Sequence, residues 1–290
     1  MSDTGFVQVP ALSDRTFDRF RDLIYRETGI YMRESKRILV SNRLRKRIVA
    51  LGLGSYDDYY RYLTETEQGA GELPNFIDAV STNETYFYRG DNQFQALKQV
   101  ILPELFPRRS SLKIWSAGCS TGEEPYTIAI IVLEAASALG WEGTPEIIAT
   151  DINTEVIARA REGVYRGRTL KFMPPELTSR YFQPAGDGEY RMGEEVRRHV
   201  RFAVHNLLKQ EPPAYGVDVI FCRNVMIYFD RETQQRLVDQ VFRKALRPDG
   251  YLLIGHSESL IGKSAYFRYA HIMKAPIYRF GAPLAKGERT

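Results

Sequence analysis

Apolar positions recur at helical spacing through the first 80 residues and then give way to short, nearly unbroken apolar runs separated by helical stretches. From Ser13 onward, Phe17, Phe20, Leu23 and Ile24 share one helix face. A second stripe, Val40, Leu44, Ile48 and Leu51, predicts a helix with Ser35 as N-cap and Gly52 as its stop. Ser55 to Thr64, rich in tyrosine, and Leu73 to Val80 predict two shorter helices, with Glu65 to Glu72 (ETEQGAGE) as a polar loop between them. Residues 13–80 are therefore expected to form a small all-helical domain behind a loose lead-in, residues 1–12. Residues 81–110 read as a linker and a connecting helix, Phe94 to Leu105, with Pro107-Arg108-Arg109 leading into a strand.

Residues 111–290 carry a different rhythm. In Leu112 to Tyr126 (LKIWSAGCSTGEEPY), the run Leu112, Ile114 and Trp115 predicts a strand, Gly118 and Gly122 bracket a tight turn, and Pro125 opens an apolar helix through Leu139. Glu146 to Asp151 is a second buried strand, followed by a helix from Asn153 to Glu162 that Gly163 closes. A stretch dense in Arg, Pro and Gly, about 164–200, interrupts the alternation. Tyr190-Arg191-Met192 and Val196 to Val200 predict short antiparallel strands within that insertion. Phe202 to Asn206 and Val217 to Cys222 return to the sheet. Asp230 caps a helix whose stripe is Leu237, Val238, Val241, Phe242 and Ala245, ended by Pro248-Asp249-Gly250. Tyr251 to His256 is a further strand, and Tyr266 to Met273 with Pro276 to Phe280 form a closing antiparallel pair. Such alternation implies an α/β, doubly wound, mostly parallel sheet, with ligands outside the carboxyl ends of its strands.

Composition narrows the class. The 290 residues, 43% hydrophobic and 26% charged, are those of a globular protein with ample core. The two cysteines, Cys119 and Cys222, lie in or beside apolar runs, where reduced thiols are expected. No apolar run approaches the roughly 20 residues that cross a bilayer, and MSDTGFVQVP has no basic-then-apolar signal pattern. A cytoplasmic protein without direct membrane insertion is the expectation. A formal charge of +4 is too small to argue for nucleic acid. Local charge is more informative: seven cations (Arg33, Lys36, Arg37, Arg43, Arg45, Lys46 and Arg47) face one anion, Glu34, between residues 33 and 47. Charge alone reads as a solvated helix face; the sharper alternative is docking of an acidic partner.

The strand-end loops converge on one rim. They bring together Gly118 to Glu123, Asp151, Asn206 with Leu207, and Arg223, Asn224 and Tyr228. Gly118 and Gly122 let a ligand approach the backbone. Glu123 and Glu124 suit a cationic ligand better than pyrophosphate at this helix start. The turn is GxxxG and lacks the third glycine of the dinucleotide fingerprint. Asp151 is placed to accept hydrogen bonds from ribose hydroxyls. No paired His/Cys metal ligands and no nucleophile triad are present, and His205 and His256 read as structural. In Ser81 to Arg89 (STNETYFYR), an arginine beside aromatic rings is a pre-oriented cation for a carboxylate.

Five separated motifs carry a family likeness: NETYFYR at Asn83 to Arg89, WSAGCSTGEEPY at Trp115 to Tyr126, TDIN at Thr150 to Asn153, FCRNVMIYFD at Phe221 to Asp230 and GHSES at Gly255 to Ser259. Over nearly its whole length the chain resembles the chemotaxis receptor methyltransferases of the CheR type. The resemblance implies S-adenosylmethionine as cofactor, S-adenosylhomocysteine as product, and cofactor contacts at Asn83, Thr85, Arg89, Glu123, Asp151, Asn206, Leu207, Arg223 and Asn224. It places Arg89 and Tyr228 close to the transferred methyl. It implies glutamyl methyl ester formation on the cytoplasmic helical hairpin of chemoreceptors, an acidic coiled coil. Lys36, Arg37, Arg43, Arg45, Lys46 and Arg47 then become a docking face, which reverses the plainer reading of the charge.

One departure concerns the C-terminal tether peptide that some members bind through the β-subdomain. Gln183 to Glu189 (QPAGDGE) is about three residues shorter than the glycine-bearing loop those members use, so tether binding is expected to be weak or absent. A glutamate is already ionised at neutral pH, so methyl transfer to it needs no general base. The catalytic demand is alignment and removal of water, with Arg89 orienting the carboxylate and Tyr228 at the methyl. A nicotinamide oxidoreductase, a nucleic-acid methyltransferase and an inactive receptor adaptor are the competing classes.

Overall fold

The computed structural model describes residues 9–260, 262 and 264–281, and its contacts divide between Thr82 and Asn83. In the first unit, helix α1 (Asp14–Thr28) starts where the Ser13 hydroxyl accepts the Thr16 N–H at 3.2 Å. It stops at Gly29, whose left-handed backbone lets its N–H reach the Tyr25 carbonyl at 2.7 Å. A 3-10 turn, Glu34–Lys36, precedes α2 (Arg37–Ala50). Ser35 therefore lies inside that turn and is not the N-cap expected of it. Val40, Leu44 and Ile48 are fully buried, while Leu51, just past the last turn, is half-buried.

Helices α3 (Tyr56–Glu65) and α4 (Glu67–Val80) complete this unit. The ETEQGAGE stretch expected as a loop is mostly the start of α4. The Thr66 hydroxyl caps it by accepting the Gly69 N–H at 3.1 Å, and Gly69, Glu72, Phe76 and Val80 recur on its buried face. Glu72 is tolerated there because its carboxylate collects both prongs of Arg47 (2.8 and 2.7 Å), the Tyr59 hydroxyl (2.9 Å) and the Asn75 amide (2.9 Å). Val9 and Leu12 are buried in this core, so residues 9–12 of the lead-in are packed rather than loose. Residues 1–8 lie outside the described residues.

The second unit opens with α5 (Asp91–Ala96), a π turn at Leu97–Ile101 and α6 (Leu102–Leu105) in unbroken succession. Strand β1 (Ser111–Ala117), helix α7 (Glu123–Leu139), strand β2 (Thr144–Asp151) and helix α8 (Thr154–Glu162) follow. Helix α7 begins two residues before Pro125, which puts Glu123 and Glu124 in its first turn. The insertion holds β3 (Val164–Arg166), α9 (Pro175–Tyr181), β4 (Phe182–Gly186), β5 (Glu189–Met192) and α10 (Glu194–Arg197). Strands β3, β5 and β4 form an antiparallel three-stranded sheet in that order. The strand expected from Val196 to Val200 is absent. The N–H groups of Val196 and Arg197 both return to the Gly193 carbonyl, closing a helical turn, and Val200 opens the next strand of the main sheet.

That sheet continues with β6 (Val200–Val204) and β7 (Val217–Cys222). Helix α11 (Arg231–Arg236), a π turn at Leu237–Phe242 and α12 (Arg243–Ala245) follow, then β8 (Leu246–Ile254), β9 (Phe267–Tyr269) and β10 (Ile277–Phe280). The Asp230 carboxylate caps α11 through the Thr233 N–H at 2.8 Å. The helical run ends at Ala245, before the Pro-Asp-Gly stop. The seven strands lie in the order β6-β2-β1-β7-β8-β10-β9. All pairs from β6 to β8 are parallel, and β10 runs antiparallel to both its neighbours. Strand β7 is buried at every position, as a central parallel strand covered on both faces must be. No described helix is long and apolar enough to cross a membrane.

Candidate active site

The chain moves outward from β1 to β2 and later returns to β7 on the other side of β1, so the order of strand addition reverses between the parallel strands β1 and β7. Ligand crevices form at such a reversal. Gly118 has φ +87°, and a methyl on it would lie 2.3 Å from Cγ2 of Val225 in the loop after β7. Glycine is required there by conformation and by space. The N–H groups of Gly118 and Cys119 both donate to the Thr150 carbonyl (2.8 and 2.9 Å), which pins the turn to β2.

Ser120 ties three of the sequence motifs together. Its N–H donates to Asp151 Oδ2 at 2.8 Å and its hydroxyl donates to the Asn83 carbonyl at 2.8 Å. Asp151 Oδ1 accepts the Asn153 N–H at 3.0 Å. These bonds orient the acid at the tip of β2. The His205 N–H bonds the Asp151 carbonyl at 2.8 Å, which brings Asn206 and Leu207 alongside the tip of β2. Leu207 is buried, and the Asn206 side chain accepts the Leu208 N–H at 3.0 Å.

Glu123 is 1% exposed, and burial pushes its carboxyl above the ordinary range against a 2.6 Å bond from the Thr121 hydroxyl. Glu124 accepts from Ser116 Oγ at 2.7 Å and from Arg223 at 3.0 Å. Arg223 also donates to the backbone carbonyl of Arg89 and lies 5.0 Å over the Phe94 ring. Burial draws its guanidinium below the ordinary value, with Glu124 opposing, and its Nε has no partner. Thus Arg223, assigned by resemblance to the cofactor, is engaged here in holding the segment that carries Arg89.

Arg89 itself donates to the Glu84 carbonyl at 2.5 Å and stands 5.8 Å over the Tyr86 ring, which packs at 5.3 Å against exposed Phe172. Thr85 is half-buried nearby in the chain. Tyr228 is half-buried at the end of a 3-10 turn, Met226–Tyr228, that follows β7. Three non-glycine residues adopt left-handed backbone in these rim loops: Tyr88 (φ 57°), Ser120 (φ 49°) and Asn224 (φ 58°). Such strain persists only where surrounding bonds over-determine it. Cys119 and Cys222 are free and buried, and burial raises both thiols well above their ordinary range. Buried His205 donates from Nε2 to the Glu211 carbonyl at 2.9 Å, and burial lowers its ring below the usual value.

The six cations of the first unit divide into two sets. Arg47 is engaged by Glu72, Arg43 donates to the Val80 carbonyl (2.7 Å) and Thr82 (3.1 Å), and Arg37 pairs with Asp14. Lys36, Arg45 and Lys46 are exposed, and exposed Ile38, Leu39 and Val49 share their helical segment. Sequence reasoning did not single out Ser120, inside the glycine motif, or Glu258, within GHSES, and it read Glu124 as facing a cationic ligand rather than pairing with Arg223.

The donor set fits S-adenosylmethionine. An oriented acid at the β2 tip suits ribose hydroxyls, and carboxylates at the α7 start suit a cationic tail rather than a phosphate. Comparison with known proteins agrees. Residues 15–81 match the CheR methyltransferase all-alpha domain, and residues 83–275 match the CheR methyltransferase SAM binding domain. The chain is 38% identical over 271 residues to chemotaxis protein methyltransferase 2 of Vibrio cholerae, covering 92% of this chain and 93% of that one. It is 43% identical over 256 residues to the chemotaxis protein methyltransferase of Salmonella typhimurium (86% and 85%) and 42% identical over 255 residues to that of Escherichia coli K12 (86% of each).

Proposed function

The chain belongs to the CheR methyltransferase family, and from that premise we propose that it methylates glutamate side chains on the cytoplasmic helices of chemoreceptors. The cofactor is S-adenosylmethionine, which supplies a methyl group made electrophilic by its sulfonium. The observation that carries the reading is the pair of bonds from Ser120 to Asp151 and Asn83. They fasten the ribose acid, the glycine turn and the segment bearing Arg89 into one site.

The division of labour follows from the chemistry of the acceptor. A glutamate with a pKa near 4.3 arrives ionised, so the site needs no base. Arg89 orients the carboxylate through partial contact, because a saturated ion pair would stabilise the ground state and slow transfer. Asn83, Thr85, Gly118, Glu123, Asp151, Asn206, Leu207 and Asn224 line the cofactor, and Tyr228 closes on the methyl. The exposed cations Lys36, Arg45 and Lys46 receive the acidic receptor helix, steered by long-range attraction. The protein works in the cytoplasm, where those receptor helices are.

The test is transfer of labelled methyl to a receptor cytoplasmic fragment. Label released as methanol in mild base supports a glutamyl ester; base-stable label, or label on nucleic acid instead, refutes it. A second element of the reading is independence from a receptor tail peptide. The β4–β5 connection is a compact turn through Gly186, Asp187 and Gly188, all with positive φ. Saturable micromolar binding of a C-terminal tail peptide would overturn that element alone.

A further inference from the structure

The segment after β8 places a carboxylate under the loop that follows β7. Glu258 is buried, at 9% exposure. Its Oε2 accepts the N–H of Gly255 (2.5 Å) and of Asn224 (3.1 Å), and its Oε1 accepts the N–H of Ile227 (3.2 Å). A methyl on Gly255 would lie 2.7 Å from Glu258 Oε2 and 3.0 Å from the Asn224 nitrogen, so the two loops close on the carboxylate only because residue 255 has no side chain. Backbone donors that converge on a buried anion fix the loop that carries them, since each would otherwise be left without a partner.

We propose that Glu258 is a positioning residue for methyl transfer, one that sets the places of Asn224 and Tyr228 without touching either reactant. Its two oxygens divide the task. Oε2 holds the backbone of Asn224, whose left-handed conformation (φ 58°) needs an external restraint. Oε1 holds Ile227, the residue beside Tyr228 in the 3-10 turn Met226–Tyr228. The anion thus couples the cofactor side of the loop to its methyl side. Burial raises the Glu258 carboxyl and the donated N–H groups lower it, so the anion here depends on those same bonds.

The two oxygens make separate predictions, and this inference rests on the reading that Tyr228 stands at the methyl. In Glu258→Gln the remaining oxygen stays where two donors converge, and the new amide N–H2 meets the Ile227 N–H, donor against donor. The Met226–Tyr228 turn then loosens while Asn224 stays held. The expected result is a fall of about 10- to 100-fold in kcat per active site with S-adenosylhomocysteine affinity within about threefold of wild type. Active sites are counted by calorimetric stoichiometry, so a merely structural role would lower that count and leave kcat per site unchanged. Hydrogen exchange supplies a readout apart from turnover: the Ile227 amide should exchange faster in Glu258→Gln, and the Asn224 amide much less so. Unchanged kcat per site, or kcat and product affinity falling in parallel, would overturn the proposal. Failure of the wild-type protein to methylate a receptor would sink the proposed substrate, yet the exchange rates would still decide whether Glu258 holds the loop.

Discussion

Arg223 is the sharpest place to test how the site is held. Its side chain is 4% exposed and that of Glu124 13% exposed, so Arg223→Met leaves a buried carboxylate with only the Ser116 hydroxyl. Removing one partner of a buried pair costs about 3–5 kcal/mol. The unpartnered Nε works the other way, since an unsatisfied buried donor carries a penalty of about 1–3 kcal/mol that the substitution relieves. A net loss of about 2 kcal/mol is therefore expected, or roughly 4–8 °C in Tm for a unit of this size. Adding Glu124→Leu removes the stranded charge and should restore most of that loss, because apolar replacements of buried pairs are often neutral or better. Turnover should stay low in the double variant, as the Arg89 carbonyl still lacks its donor. Calorimetric unfolding of the two single variants and the double variant gives the coupling energy. A single variant that loses less than about 0.5 kcal/mol, or a double variant no more stable than Arg223→Met, refutes the reasoning.

Three other outcomes follow from named contacts. Arg89→Ala should reduce kcat on the order of 100-fold while S-adenosylhomocysteine titration changes by a few-fold at most; loss of product binding alone would remove Arg89 from the reaction. Reversing Lys36, Arg45 and Lys46 to glutamate should raise KM for a receptor fragment about tenfold at low salt, with the difference shrinking as salt is added; equal KM values would show that this face docks nothing. Burial acts to raise the Glu72 carboxyl, but the bonds from Arg47, Asn75 and Tyr59 outweigh it and hold the group below its ordinary 4.5. A depressed folded value contributes stability above the ordinary value that is lost as pH falls through the depressed one. The denaturant midpoint of the helical unit should therefore decline below about pH 4.5 in the wild type and less steeply in Glu72→Gln.

Much of the fold was legible because its signals are local. The stripes at Phe17 to Ile24 and Val40 to Ile48, the cap Asp230, and the apolar runs of β1, β2 and β7 each announce an element without reference to distant residues. The misreadings share a cause. Glu72 counted as loop because its partners Arg47 and Tyr59 arrive from other helices, and Val196 counted as strand because one buried valine does not reveal its turn. In the site, Asp151 and Gly118 were identifiable from their place after a strand. Ser120 and Glu258 were not, since each takes its role from partners 31 to 37 residues away or from backbone groups that no side-chain pattern encodes, and the pairing of Glu124 with Arg223, 99 residues on, was equally hidden.

The burial of both native thiols has a practical consequence. With Cys119 and Cys222 sealed in the core and held protonated, maleimide or nitroxide reagents find nothing to modify on the folded protein. A single cysteine introduced at an exposed position such as Ser35 or Asn42 would then carry a fluorophore or spin probe alone, so distances to a labelled receptor can be measured on a chain whose own sulfurs are left in place.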